Sequence, residues 1–277
     1  MSLFDTGVRP LIDEYLLNES KEVRDYGDYW SASSAGYCMR RVIFDRLKVP
    51  HVTEDARKQR VFSSGHIFHE WIQDITKKAG LSIAQEVELQ DEDLMVRGHF
   101  DDLILIRYDE NGETPVRAGA EQRGQHLILY DYKTQNSKGF ATYAKKPSHH
   151  HKMQLGTYMY MLRKMGKLDQ YWSDGETLGR SDATKDLTEA RILKISKDDL
   201  RMAEVQYVWS EDLEADVALY WTVLNKFWAD KKIPPCTCAD HDGGWMAREA
   251  FNPFFYEGEP CSLDWYTLNK KETSNAK

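Results

Sequence analysis

Apolar positions recur along this chain with two different periods, and the changes of period divide it into elements. Up to about Gly80 the spacing is helical. In "VFSSGHIFHEWIQDITKKAG" the residues Ile67, Phe68, Trp71, Ile72 and Ile75 fall on one helical face. Gly65, His69 and Gln73 fall on another, and the segment opens on Ser63 and Ser64 and closes on Gly80. Upstream, "SASSAGYCMRRVIFDRLKVP" reads as a serine-capped amphipathic helix stopped by Pro50. From Leu81 the period falls to two, so "LSIAQEVEL" and "LMVRGHFDDLILI" read as strands. In the second, Val96, Gly98, Phe100, Ile104 and Ile106 point one way, and Arg97, His99 and Asp101 the other. The same parity puts Asp102, a rival to Asp101, on the Val96/Phe100 face.

A turn-rich stretch, "RYDENGETPVRAGAEQRGQ", leads to a return strand, "HLILYDYKT". "SHHHKMQLGTYMYMLRKMG" is helical, with Leu155, Met159 and Leu162 on one face and Gln154 and Tyr158 displaced from it. After a loop, "SDGETLGRSDATKD", come two more strands, "LTEARILKIS" and "MAEVQYVWS". "EDLEADVALYWTVLNKFWADKKIPP" is a helix with an acidic start, a basic end and a proline stop. This order predicts an α/β (α+β) fold, a central mixed β-sheet flanked by helices. One domain is expected over residues 1–277: a helical part at 1–80, a core at 81–235, a cysteine-bearing part at 236–265 and a tail at 266–277.

Composition narrows the class. At 41% hydrophobic and 30% charged, the chain suits an ordinary globular protein, and no apolar run is long enough for a membrane span. The first residues lack the order of a signal peptide, so a cytoplasmic location is the expectation. The formal net charge of -8 does not favour nucleic acid, but its distribution does. No acid occurs between Asp131 and Asp169, whereas Lys133, Lys138, Lys145, Lys146, Lys152, Arg163, Lys164 and Lys167 all lie in or beside that interval, with His149, His150 and His151 among them. Four cysteines, Cys38, Cys236, Cys238 and Cys261, are few for structural disulfides in a cytosolic chain, and the C-x-C pair points to ligands.

The polar intrusions into apolar segments carry the chemistry. His69 lies on a helix beside Gly65, and Asp101 lies on a strand. Asp131 and Lys133 share one face of the next strand, and Gln154 and Tyr158 lie one turn apart on the following helix. Each alone has a plain structural use. Together, two strand carboxylates and an imidazole suit a divalent ion with positions left open for water and phosphate. A buried Asp131 and Lys133 without partners would cost several kcal/mol per ion, so partners are expected.

The motifs "GHIFH", "GHFD", "DYK" and "QLGTY", in that order on helix, strand, strand and helix, resemble those of the RecB-like branch of the PD-(D/E)XK nucleases, over roughly Ser31 to Pro235. The resemblance implies a restriction-endonuclease-like core. It implies that His69, Asp101 and Asp131, with the carbonyl of Tyr132, bind Mg or Mn. Lys133 would be catalytic beside Asp131 and Asp101, either stabilising developing charge or helping to deprotonate the attacking water. Gln154 and Tyr158 would contact DNA near the scissile bond, and Glu70 would be at most an outer acid. The basic run, with Lys138, Lys145, Lys146 and Lys152, would lie along the DNA backbone, and Tyr143, Tyr158 and Tyr160 are candidates to stack bases.

Some members, the CRISPR-associated exonucleases and the AddB-type subunits, have one cysteine before the core and three after it, holding a 4Fe–4S cluster that staples the domain's ends together. Cys38, Cys236, Cys238 and Cys261 match that order but not its spacing, since C-x-C followed by twenty-two residues replaces C-x-x-C and a short gap. Zinc is the alternative. The expected function is a metal-dependent DNA exonuclease on single strands or duplex ends, in recombination, repair or processing, with recombination or CRISPR-type protein partners. The alternatives are a non-catalytic metal-stapled DNA-binding subunit and an endonuclease on the same core.

Overall fold

The period-two segments pair into one mixed sheet whose faces are both covered. The computed structural model describes residues 8–19, 27–49, 56–108, 115–116, 124–164, 187–240, 247, 254–256 and 259–261. Its strands are β1 (Trp30–Ser31), β2 (Ser82–Asp91), β3 (Val96–Tyr108), β4 (Pro115–Val116), β5 (Gly124–Gln135), β6 (Glu189–Ser196) and β7 (Met202–Val208). They run in the order β1-β3-β5-β6-β7, with β2 and β4 also paired to β3. The pairs β1–β3 and β5–β6 are parallel; β2–β3, β3–β5 and β6–β7 are antiparallel. A separate hairpin, β8 (Phe255–Tyr256) with β9 (Glu259–Pro260), lies near the C-terminal cysteine. The expected central mixed sheet with flanking helices is therefore what the chain forms.

The helices are α1 (Val8–Glu19), α2 (Met39–Arg46), α3 (Ala56–Lys78), α4 (Ser137–Tyr143), α5 (His149–Lys164) and α6 (Glu211–Ala229). Alternation along β5 feeds two cores. Leu127 and Leu129 pack with Met153, Leu155 and Met159 of α5 and with Val217 and Trp221 of α6. Ile128, Tyr130 and Tyr132 pack with Ile72 of α3, Ile104 and Ile195. Burying each large side chain stabilises the fold by roughly 1.5–3 kcal/mol. Parallel β5 and β6 need a crossover, which α4 and α5 supply, so α5 runs back against β5. The start of α5 thus lies beside the end of β5.

Several expectations are corrected. α3 starts at Ala56, not at the Ser63/Ser64 pair, and its predicted apolar face is largely turned outward. Ile67 is 65% exposed, Trp71 41% and Ile75 44%, while Ile72 and Thr76 are buried. The polar face wins because it is the face that can approach the sheet. A Cβ on Gly65 would sit only 3.4 Å from Thr134 Oγ1, and Thr76 and Gln73 hydrogen-bond to β3. The helix expected from Ser31 is instead β1, a 3-10 turn at Ala32–Ser34 and the short α2, which Cys38 precedes as N-cap. Periodicity does not predict α4. Its cap is Asn136, whose side chain accepts a 2.7 Å bond from the Gly139 N–H. The loop at 173–186, the tail at 266–277 and most of the β3–β5 connection lie outside the described residues.

Close approach also explains Gly98 on β3. A Cβ there would lie 2.8 Å from Ala32 Cβ and 3.1 Å from the Tyr158 hydroxyl. Gly98→Ala is expected to lower unfolding free energy by about 1–3 kcal/mol through overpacking. Urea denaturation checks this, and an unchanged midpoint would contradict it.

Candidate active site

The site forms where two strands part. β2 lines one edge of β3 from Val96 to Ile104, so β1 and β5 must share the other edge. β1 takes Val96 and Arg97, and β5 takes Asp102 to Tyr108. Gly98 to Asp101 are left in the gap between them. Parity also slips here. Phe100 belongs to the α5-side core, yet Ile104 belongs to the α3-side core. The strand partner opposite Asp101 is the level of Glu86, which has φ +50°, a left-handed twist that an L-residue rarely adopts.

This slip overturns the parity assignment of Asp102, which faces α3 rather than the Phe100 side. It is fully buried and richly bonded. Thr76 Oγ1 donates at 2.6 Å, Ser82 Oγ at 2.5 Å, Tyr132 Oη at 2.8 Å and Gln85 Nε2 at 3.1 Å. Four donors satisfy that carboxylate without a metal. Asp102 therefore ties β2, β3, β5 and α3 together.

Asp101 is differently placed. Its Oδ2 accepts the Tyr132 N–H at 2.7 Å and lies 3.4 Å from His69 Nδ1. Burial and the neighbouring Asp131 charge push its carboxyl well above the usual carboxylate range. Across the gap, Asp131 is 2% exposed. Gln154 Nε2 donates to its Oδ1 at 2.9 Å, and Lys133 Nζ lies 2.7 Å from its Oδ2. That last contact is an ion pair without hydrogen-bond alignment. Burial works against the Lys133 ammonium, but Asp131 and Asp101 outweigh it and hold its pKa above the ordinary value. Burial and Lys133 together push the His69 imidazole down, so it stays neutral as a ligand must. The N–H of Tyr132 points to Asp101, and the carbonyl of the same extended residue faces the same edge.

The structure thus brings together His69 with Asp101, and Asp131 with Lys133 and Gln154. It does not place His69, Asp101 and Asp131 within one 4.8 Å set of donor atoms; among the described residues that property belongs to Cys38, Cys236 and Cys238. Gln154 and Tyr158 are 4% and 3% exposed; Gln154 bonds Asp131, and the Tyr158 hydroxyl lies beside Gly98. Glu70 on α3 is exposed. Lys138, Lys145 and Lys146 are exposed, as is Tyr143, with Lys146 Nζ 5.3 Å from its ring centroid. Lys152 is half-buried, 3.8 Å from Asp216 of α6, and Tyr160 is half-buried with Lys164 over its ring.

Sequence reasoning missed three participants. Glu86 influences the charges of both Asp101 and His69, but only the β2 register reveals it. Gln73 Nε2 bonds the Asp101 carbonyl at 3.0 Å and Glu86 Oε1 at 2.7 Å. Lys194 is 2% exposed, and its Nζ donates to the carbonyls of Tyr143 and Lys146 at 2.7 and 2.9 Å. It thereby pins the exposed basic turn to β6.

The cysteines form a second centre. Cys38, Cys238 and Cys261 are buried with Phe44, Val49 and Phe254. Cys238 Sγ and Cys261 Sγ are 3.9 Å apart. Thiol donors from Cys238 and Cys261, and the Thr237 N–H at 3.3 Å, pull Cys38 toward the thiolate, the form that binds metal. A cluster of thiols able to hold a metal ion is therefore present.

No protein-family model and no curated protein matches the sequence. Among solved structures, one described as the crystal structure of SSO0001 is similar in fold, with a TM-score of 0.44 and 16% identity over 83% of this chain and 89% of that one. No helix among the described residues is long and apolar enough to cross a membrane.

The raised Asp101 pKa has a sign. The folded state holds that proton more tightly than the unfolded one, so its contribution is full below the unfolded carboxylate pKa and is lost as pH rises through the folded value. At pH 8 in EDTA, Asp101→Asn is expected to raise the melting temperature by a few degrees. An Asn variant that melts lower in EDTA would contradict this.

Proposed function

We propose that the chain is a Mg- or Mn-dependent deoxyribonuclease, an exonuclease that hydrolyses phosphodiester bonds of single strands or duplex ends in recombination, repair or processing of DNA. The observation that carries this is the gap in the sheet, where two under-partnered carboxylates, Asp101 and Asp131, meet a charged lysine, Lys133. The donor set suits a hard divalent ion: His69, Asp101, Asp131 and the carbonyl of Tyr132 would hold it. Such an ion supplies an activated water and neutralises phosphate charge. Lys133 is held charged, which supports stabilisation of the phosphoryl charge over a role as base. Gln154 fixes the Asp131 carboxylate by its Oδ1, leaving Oδ2 on the Lys133 side. The exposed Lys138, Lys145 and Lys146 lie just beyond β5, where they would meet the backbone of the departing strand.

The cysteine centre is read as a 4Fe–4S cluster, on the order of the four cysteines along the chain. Zinc is the second reading, because the 3.9 Å sulfur separation is close to the edge of a ZnS4 tetrahedron, about 3.8 Å for 2.3 Å bonds. A non-catalytic DNA-binding subunit is favoured by one observation, the spread of His69, Asp101 and Asp131 beyond a single 4.8 Å set.

With Mn, purified protein should degrade end-labelled linear DNA and leave circular single strands intact. Asp131→Ala or Lys133→Ala should reduce the rate by at least about 100-fold. DNA binding with no cleavage by the wild type would select the binding subunit, and cleavage of circles an endonuclease. Anaerobically purified protein should be brown and lose its colour on Cys38→Ser. A colourless protein with stoichiometric zinc would replace the cluster.

A further inference from the structure

α5 runs back along β5, and this sets which side chains become neighbours. Gln154 reaches Asp131. Two residues further along β5 is Lys133, and one turn back toward the start of α5 is His151. The His151 Nδ1 is buried and has no hydrogen-bond partner. Burial, His150 and Lys133 push this imidazole down to about 2, so it is neutral, with one ring N–H to give.

The segment before α2 closes the other side. Tyr37 lies near enough to Lys133 to favour its charged form. Its ring stacks on His150 at 3.9 Å between centroids, inclined by 13°, and His150 Nδ1 is 2.8 Å from the Ala35 carbonyl oxygen. The Arg41 guanidinium lies 4.8 Å from the same Tyr37 ring centroid. Its Nε and Nη1 are buried and have no hydrogen-bond partner. The orphan donors thus lie at the two ends of the Tyr37–His150 stack, Arg41 against the Tyr37 ring and His151 with its ring centroid 5.2 Å from that of His150, and they share one missing partner type: an anion with several acceptor oxygens. The carboxylates of the gap face other groups, Asp131 facing Gln154 and Lys133 and Asp101 facing the Tyr132 N–H and His69.

We propose that Arg41 and His151 form, beside Lys133, a subsite for a second backbone phosphate of the nucleic-acid strand, next to the phosphate that is cut. This rests on the nuclease reading. Lys133 serves the scissile phosphate. Arg41 grips the neighbouring one with its planar fork while the Tyr37 ring holds the guanidinium in place, and His151 donates from Nδ1. The strand is then held on both sides of Lys133, which fixes which linkage meets the carboxylates.

Steady-state cleavage of short end-labelled single strands in Mn tests this, using wild type, Arg41→Gln, Arg41→Lys and His151→Gln. The Gln variants should each raise KM by about tenfold with kcat within about threefold, and Arg41→Lys should recover part of the loss. A single neutral methylphosphonate linkage, walked along the substrate, should raise the wild-type KM by a similar factor at one position beside the cut. At that position it should add nothing further in Arg41→Gln. Wild-type KM in both Gln variants would overturn the subsite while leaving the nuclease reading intact. So would a wild type indifferent to every methylphosphonate beside the cut, a measurement that stands even if Arg41→Gln does not fold. A wild type that cleaves no DNA overturns the nuclease reading and this subsite together.

Discussion

A carboxylate buried with too few donors is held in place only if the rest of the fold is paid up elsewhere, and β3 presents both conditions in adjacent residues. Asp102 has four donors and needs nothing more. Asp101, one residue earlier, has the Tyr132 N–H and a neutral imidazole 3.4 Å away. The difference follows from the parity slip at Glu86 and Asp101, which sends Asp102 into α3 and leaves Asp101 at the gap between β1 and β5. The saturated carboxylate anchors the helix that carries His69, and the unsaturated one faces it. A stable site and a reactive site are thus built from neighbours on one strand.

The second constraint is how closely helices approach this gap. Gly98 leaves room for Ala32 and Tyr158, whereas a Cβ on Gly65 would make only ordinary contact with Thr134. Gly98 is therefore a spacer. His69 and Gln154 reach the carboxylates from opposite faces of the sheet. Lys194 does a similar job at one remove, since its buried ammonium holds the turn that displays Lys145 and Lys146.

Much of the fold is legible in the sequence because strand alternation and helical spacing report burial directly. β5, β6, β7, α5 and α6 follow their apolar patterns, and β3 does so up to its slip at Asp101. What escapes is whatever depends on pairing between distant segments. The outward turn of Ile67, Trp71 and Ile75 reflects hydrogen bonds from Thr76 and Gln73 to β3, and no local pattern in α3 encodes them. The face of Asp102 depends on a left-handed Glu86 on another strand. His69, Asp101, Asp131 and Lys133 are visible as polar intrusions, whereas Glu86, Gln73 and His151 look like ordinary surface polar residues until the register places them. The burial of Gln154 and Tyr158 is likewise not visible along the chain.

The cysteine centre has a consequence for the order in which the protein is made. Cys38 directly precedes α2, the helix that bears Arg41, but its partners Cys236, Cys238 and Cys261 are synthesised some two hundred residues later. The sheet and its carboxylates can pair before then, because β5, β6 and β7 are already out of the ribosome. The second, smaller cluster under α2 is complete only when residue 261 has emerged. Until then Val42 and Ile43 can hold α2 on the main core, while Cys38 and Phe44 still lack the C-terminal residues they pack against.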